Sequence, residues 1–200
     1  LGVELFLFYY SIKALAMQKL LLIAFLFLSY ISFSQTTEDY FSRPGLNINA
    51  YHTGCCGSAH PSSYTFAYKT TQCDTNVLVF LRNDGRDDFI MKIDDKKVYI
   101  ARSGCYFRLY FDFGLNPGEK MPSGFYQNYE LVSKHLTSLL NGEQRMQFNL
   151  VSPQGWPATW IEGIGDVDRG MLPEWDKEGM DIFVCARDNT GDLLSNLEEA

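Results

Sequence analysis

The chain is poor in positive charge, with 17 Lys and Arg against 24 Asp and Glu, and no basic stripe follows any part of it. Without one, nothing is present to track a phosphate backbone, so nucleic acid is excluded as a partner. No amphipathic helical stripe of useful length runs through the sequence, and no internal repeat or low-complexity tract is present. The catalytic signatures are missing as well: no Gly-x-Ser-x-Gly elbow, no phosphate-binding glycine loop and no His-Glu-x-x-His occur. Beyond residue 34 there is no apolar run near the roughly 20 residues that a membrane helix needs, so no membrane span is expected there.

The apolar run that does exist lies near the start. Met17, Gln18 and Lys19 precede Leu20–Phe33, which closes on Ser32-Phe33-Ser34-Gln35. A positive residue, a short apolar stretch and small side chains three and one positions before a cut form the layout of a secretory signal peptide over residues 17–34. Cleavage is expected between Ser34 and Gln35, with residues 1–16 a translated stretch upstream of the start. The rival is an uncleaved anchor built from both apolar pieces, which Lys13 and Lys19 interrupt. Taking away residues 1–34, with Lys13, Lys19 and Glu4, leaves 166 residues and a net charge of −8. That is one ordinary domain with enough chain to bury a core.

Residues 35–62 are polar, Gly-rich and irregular, and read as an arm in which Thr36 to Asp39 cap one short helical turn before Pro44. From 63 to 200 a single β domain is expected. Runs rich in aromatic and β-branched residues alternate with turn clusters over 64–70, 77–82, 89–93, 97–102, 105–113, 126–140, 143–151, 158–164 and 181–186. Asn83-Asp84-Gly85 and Asp94-Asp95 supply tight antiparallel connections, and Asn141-Gly142 predicts a hairpin with a type I′ turn. Nine sequential strands imply an all-β antiparallel meander, either a closed barrel or a strongly curled sheet.

Five cysteines, Cys55, Cys56, Cys73, Cys105 and Cys185, all follow the signal segment, and an oxidising compartment favours disulfides. Adjacent cysteines rarely bond each other, so Cys55 and Cys56 are each expected to reach a partner among Cys73, Cys105 and Cys185, with one thiol left over. His52, Cys55, Cys56 and His60 also form the one cluster of metal-ligating types at short spacing. Thiolate and imidazole suit zinc or copper(I), and the same residues admit a cysteine nucleophile with a histidine base. Disulfides with exposed histidines are the plainer reading. No cofactor is required by any motif.

The acidic loop Asp166–Asp181 raises a structural calcium ion, although Met171 stands where the helix-loop-helix site needs glycine. Paired carboxylates there, or Glu162, are the residues a hydrolase reading would use. Aromatic residues crowd 106–129: strand alternation puts Phe107, Leu109 and Phe111 on the core face and Tyr106, Arg108 and Tyr110 on the other, where they could stack on a sugar or a peptide. A cell-envelope protein or a glycan is the partner class this implies.

Thr159-Trp160-Ile161-Glu162-Gly163-Ile164-Gly165 sets a carboxylate among bulky apolar side chains and two glycines. A partly buried Glu162 needs donors, for which Arg145 and Arg108 are the candidates, while Gly163 and Gly165 mark a bend or a close backbone approach. This segment resembles a group of secreted proteins of Gram-negative bacteria, often exported by the type IX secretion system, in which Trp-Ile-Glu-Gly-Ile-Gly recurs. Leu109-Tyr110-Phe111-Asp112-Phe113-Gly114-Leu115-Asn116-Pro117-Gly118-Glu119 is similar to that group's Leu-Tyr-Asp-Phe pattern and following turn, and Asn141-Gly142-Glu143-Gln144-Arg145 to its Asn-Gly hairpin. The likeness spans about 64–186. It implies a β-rich secreted domain with no assigned activity, and Trp160, Glu162, Gly163, Gly165 and Arg145 as a structural motif. Such proteins commonly end in a C-terminal sorting domain that residues up to 200 do not contain, so the periplasm stays open beside full export.

Overall fold

The computed structural model describes residues 17–19, 36–54, 59–82, 89–102, 104–169 and 179–195; for 51–54, 59–62, 179–183 and 195 it describes the backbone alone. The chain divides into two units, Leu1–Gln35 and Thr36–Ala200. In the first, 17–19 form a helical turn; no described helix is long and apolar enough to cross a membrane.

Among its described residues the second unit is all-β apart from one short helix, α1 (Thr37–Phe41). Its start follows from the side chains: Thr36 Oγ1 accepts from the Asp39 amide at 3.2 Å, and Asp39 returns a carboxylate to the Thr36 amide at 2.9 Å. This reciprocal box satisfies two donors that a helix start would otherwise leave open. Phe41, at the last turn, is fully buried and anchors the helix in the core.

Two antiparallel sheets follow. The first contains β1 (Asn47–Gly54), β2 (Ala59–Gln72), β3 (Thr75–Arg82), β4 (Phe89–Asp94), β5 (Lys97–Ala101), β6 (Arg108–Asp112), β11 (Gly179–Asp188) and β12 (Gly191–Ser195), in the order β12-β11-β1-β2-β3-β4-β5-β6. The second contains β7 (Glu130–Ser138), β8 (Gln144–Val151), β9 (Pro157–Ile161) and β10 (Gly165–Asp166), in the order β10-β9-β8-β7. The two share one core. Ile48, Tyr64, Phe80, Met91 and Phe111 of the first sheet cluster with Leu131, Phe148, Leu150 and Trp160 of the second. Phe111 meets Trp160 edge-on at 5.3 Å, and Phe113 packs on Phe148 at 5.4 Å.

The all-β antiparallel reading therefore stands, and the closed barrel does not. At the β6 end of the large sheet, the loop from Met121 to Tyr129 takes the place a further strand would need: the Phe125 amide donates to the Leu109 carbonyl at 3.0 Å. Gly124 permits this approach, since a Cβ there would overlap the Leu109 carbonyl oxygen.

The irregular arm over 35–62 is also corrected. Residues 47–54 and 59–62 are paired strand, and β1 lies in the middle of the large sheet rather than outside it. Asn and Gly disfavour strands on their own, but the alternation Asn47-Ile48-Asn49-Ala50 buries Ile48 and Ala50. The Asn47 amide group meanwhile donates across the sheet to Ser63 Oγ at 2.8 Å and Thr65 Oγ1 at 2.7 Å.

The predicted Asn141-Gly142 hairpin joins β7 to β8, but only Gly142 has positive φ, 83°. The Gly142 amide donates to the Leu139 carbonyl, which makes this a type I turn closed by a left-handed glycine, not a type I′ turn. The two-residue connection with both φ positive is Cys73-Asp74, each at 56°, between β2 and β3. Cys73 is bonded to Cys105, 32 residues away, which overturns the expected partners of Cys55 and Cys56. Cys105 and Tyr126, expected inside strands, sit in turns before β6 and β7.

Candidate functional site

The Trp-Ile-Glu-Gly-Ile-Gly segment forms the end of β9, a turn over 162–164, and β10. Trp160 is fully buried among Phe111, Phe113 and Tyr126. Gly163 has φ 78°, and a Cβ there would collide with Tyr40 and the Arg145 guanidinium. Arg145, on β8 and only 1% exposed, is the centre of the arrangement. Its Nη1 donates to the Glu162 carbonyl at 2.9 Å, its Nε to Glu143 Oε1 at 2.9 Å and its Nη2 to Glu143 Oε2 at 3.2 Å. The guanidinium carbon stands 3.6 Å from the centroid of the Tyr40 ring. On the other side Arg43 donates to both Glu143 oxygens at 2.7 Å and reaches Asp188 at 3.3 Å.

Arg145 is thus the right partner of Glu162 through the wrong atom: it holds the backbone, while the Glu162 carboxylate accepts the Thr37 hydroxyl at 2.7 Å. Arg108 is elsewhere, on β6. Burial opposes ionisation of Glu143, but the hydrogen bonds and charges of Arg145 and Arg43 outweigh it and hold its carboxyl below the ordinary value. Burial pulls the Arg145 guanidinium down from its ordinary value, against the hydrogen bond and charge of Glu143. A carboxylate taking four guanidinium bonds is a structural clamp between the segment just after α1, β8 and, through Arg145, the 162–164 turn.

The second carboxylate centre is Asp166, which the acidic loop reading counted as a potential calcium or hydrolase group. It is fully buried. One oxygen accepts the Tyr126 hydroxyl, and the other accepts the amides of Asp168 at 2.8 Å and Arg169 at 3.0 Å. Burial raises its pKa from 3.8 to about 6, and burial together with the Asp166 charge pushes the Tyr126 phenol well above its ordinary value. Asp168 is taken up by the Thr159 amide at 2.8 Å, and Arg169 by the Tyr129 hydroxyl at 3.1 Å. The remaining part of the loop, 170–178, lies outside the described residues, as does the Asp181 side chain. Among the described residues no three His, Cys, Asp or Glu side chains stand together as metal ligands.

The aromatic surface comes out differently from the crowding in the sequence. Phe111, Phe113 and Tyr126 are core. On the opposite face of β6, Tyr110 stacks on Phe125 at 5.5 Å with planes 10° apart, and the Arg108 guanidinium lies 5.9 Å from the same ring. Arg108 also donates to the Gly124 carbonyl at 3.3 Å. Tyr106, two residues upstream in the turn, is 83% exposed. The sequence identified Tyr106, Arg108 and Tyr110, but Phe125 joins them only because the 121–129 loop docks on β6.

Of the His52, Cys55, Cys56 and His60 cluster, Cys55 and Cys56 lie outside the described residues, and backbone register sets His52 opposite His60. Cys185 is a free, half-buried thiol whose Sγ accepts from Asn49 at 3.3 Å. Sequence reasoning missed Tyr40, Arg43 and Glu143, although the Asn-Gly hairpin that it found carries Glu143 two residues before Arg145. A cleft of about 350 Å³ lies between α1 and the β2–β4 part of the sheet, crossed by the Lys69–Glu38 ion pair at 2.8 Å and floored by Leu78 and Met91. Neither Glu162 nor Asp166 lines it.

No family model, curated protein or solved structure gives a significant match to this chain. The resemblance of its Trp-Ile-Glu-Gly-Ile-Gly segment therefore rests on the motifs alone.

Proposed function

We propose that this is a non-catalytic binding domain of the cell envelope or its exterior, using the Tyr106, Arg108, Tyr110 and Phe125 surface to hold a glycan or an envelope protein. The observation that carries the reading is the fate of the carboxylates. Glu162, Asp166 and Glu143 are each engaged by donors of their own fold, so none stands free over a cleft to act as acid, base or nucleophile. The β6 surface offers what the interior does not: two parallel rings with a guanidinium over one of them, and an exposed tyrosine beside the strand. Flat rings and a planar cation suit the apolar face of a sugar or an extended peptide. Secretion is supported by the 17–34 segment and by the Cys73–Cys105 disulfide, which an oxidising compartment maintains.

Tyr106→Ala and Arg108→Ala should each weaken binding to the captured envelope glycan or protein by about tenfold, with the far-ultraviolet spectrum unchanged. Turnover of a substrate that vanishes in a folded Glu162→Gln variant would replace this reading with the hydrolase one.

A further inference from the structure

Pairing in the large sheet brings three metal-ligating residue types into one row. His52 on β1 stands opposite His60 on β2 and, on its other side, opposite Asp181 on β11. The first two are close in sequence, but Asp181 arrives from the far end of the domain and only through the β1–β11 seam. The rows on either side hold Tyr51, Ile182 and Pro61, and Thr53, Met180 and Ala59. Of these three rows, only the middle one holds imidazole or carboxylate.

Ile48 and Ala50, buried in β1, precede His52 at two-residue steps, so the row occupies the sheet face that they occupy. On β1 the same face carries Ile48 and Ala50, so His52 breaks an apolar pattern. Opposed residues on neighbouring strands have Cβ atoms about 4.5–5.5 Å apart, a spacing that one ion with ligand bonds of about 2.0–2.2 Å can bridge. Imidazole and carboxylate together are a donor set for zinc(II) or copper(II).

We propose that the Asp181–His52–His60 row binds one divalent transition-metal ion, zinc or copper. This goes beyond the binding surface on β6 and is independent of it. The protein carries three histidines, His52, His60 and His135, and His135 lies in the other sheet on β7, which provides an internal control.

Isothermal titration and native mass spectrometry of the full chain with zinc chloride alone, and with copper(II) chloride alone, should find one ion per chain. His52→Ala and His60→Ala should weaken it by about tenfold or more, and Asp181→Asn should also weaken it. Affinity should fall on acidification, because protons compete with the metal for imidazole nitrogen. Nitrogen resonances of two imidazoles should move on adding zinc to the unmutated protein and the third, His135, should stay, a readout that survives if a variant fails to fold. An unmutated protein that binds neither ion, or histidine variants that bind as tightly as the parent, would overturn the proposal, as would two unmoved imidazoles.

Discussion

Asp166 shows how a residue that looks available in sequence is committed in the fold. Its carboxyl has no exposure and, through burial, titrates at about 6 rather than 3.8. Between those two values the native state binds a proton that the unfolded chain does not, so the Asp166 contribution to stability grows as pH falls through 6 toward 4. Above pH 6 the buried charge costs about 3 kcal/mol. Asp166→Asn removes that cost, so urea midpoints should show the variant gaining on the parent by about this amount between pH 4 and pH 7. An offset equal at both pH values would show that Asp166 ionises normally. Glu162 and its neighbour make a sharper contrast. Glu162→Gln keeps an acceptor for Thr37 and should cost less than about 1 kcal/mol. Gly163→Ala forces a side chain to φ 78° against Tyr40 and Arg145, and should cost about 2 kcal/mol or more in the same urea experiment. The oddity of Thr159–Gly165 was legible in the sequence because a carboxylate between apolar residues violates strand pattern. Its resolution was not, because the hydroxyl that meets Glu162 comes from Thr37, 125 positions away.

At the scale of elements, the turns carry the instruction about pairing more reliably than the runs between them. The hairpin at Asn141-Gly142 was readable because glycine at the left-handed position closes a short connection whatever the strands do. The Cys73-Asp74 turn was not, since cysteine gives no signal of positive φ and Asp74 alone is a weak one; it is held next to the segment before β6 by the bond to Cys105. That crosslink closes a loop of 32 residues, and the chain-entropy estimate for such a loop is about 3–4 kcal/mol. Replacing both Cys73 and Cys105 with serine should lower stability by that order in thermal and urea unfolding, with the sheet signature retained. No change in midpoint would mean that the bond does not form in the native protein. Beside the edge strands β10 and β12, the sequence missed β1 and the beginning of β2, whose asparagines, serines and glycine have low strand preference. Their stability comes from neighbours on both sides, which no local window contains.

For the whole molecule, the decisive feature is the seam between β1 and β11, which joins Asn47 to Arg187 and places the start of the domain beside its end. Arg43, bonded to Glu143 and Asp188, ties the same two regions together. If residues 17–34 direct export, N-terminal sequencing of the protein from the periplasm or medium should begin at Gln35; recovery of a chain that still carries 17–34 would refute it. By itself the sequence determined the all-β class, the antiparallel direction of its hairpins and the prominence of Trp160–Gly165, because alternation and turn chemistry act over a few residues. Only the tertiary structure decided that two sheets stay open, that β1 lies centrally, that Cys73 pairs with Cys105, and that Asp181 shares a row with His52 and His60. Those outcomes depend on which distant surfaces bury each other best, and the free energy of that choice belongs to the packed chain rather than to any segment of it.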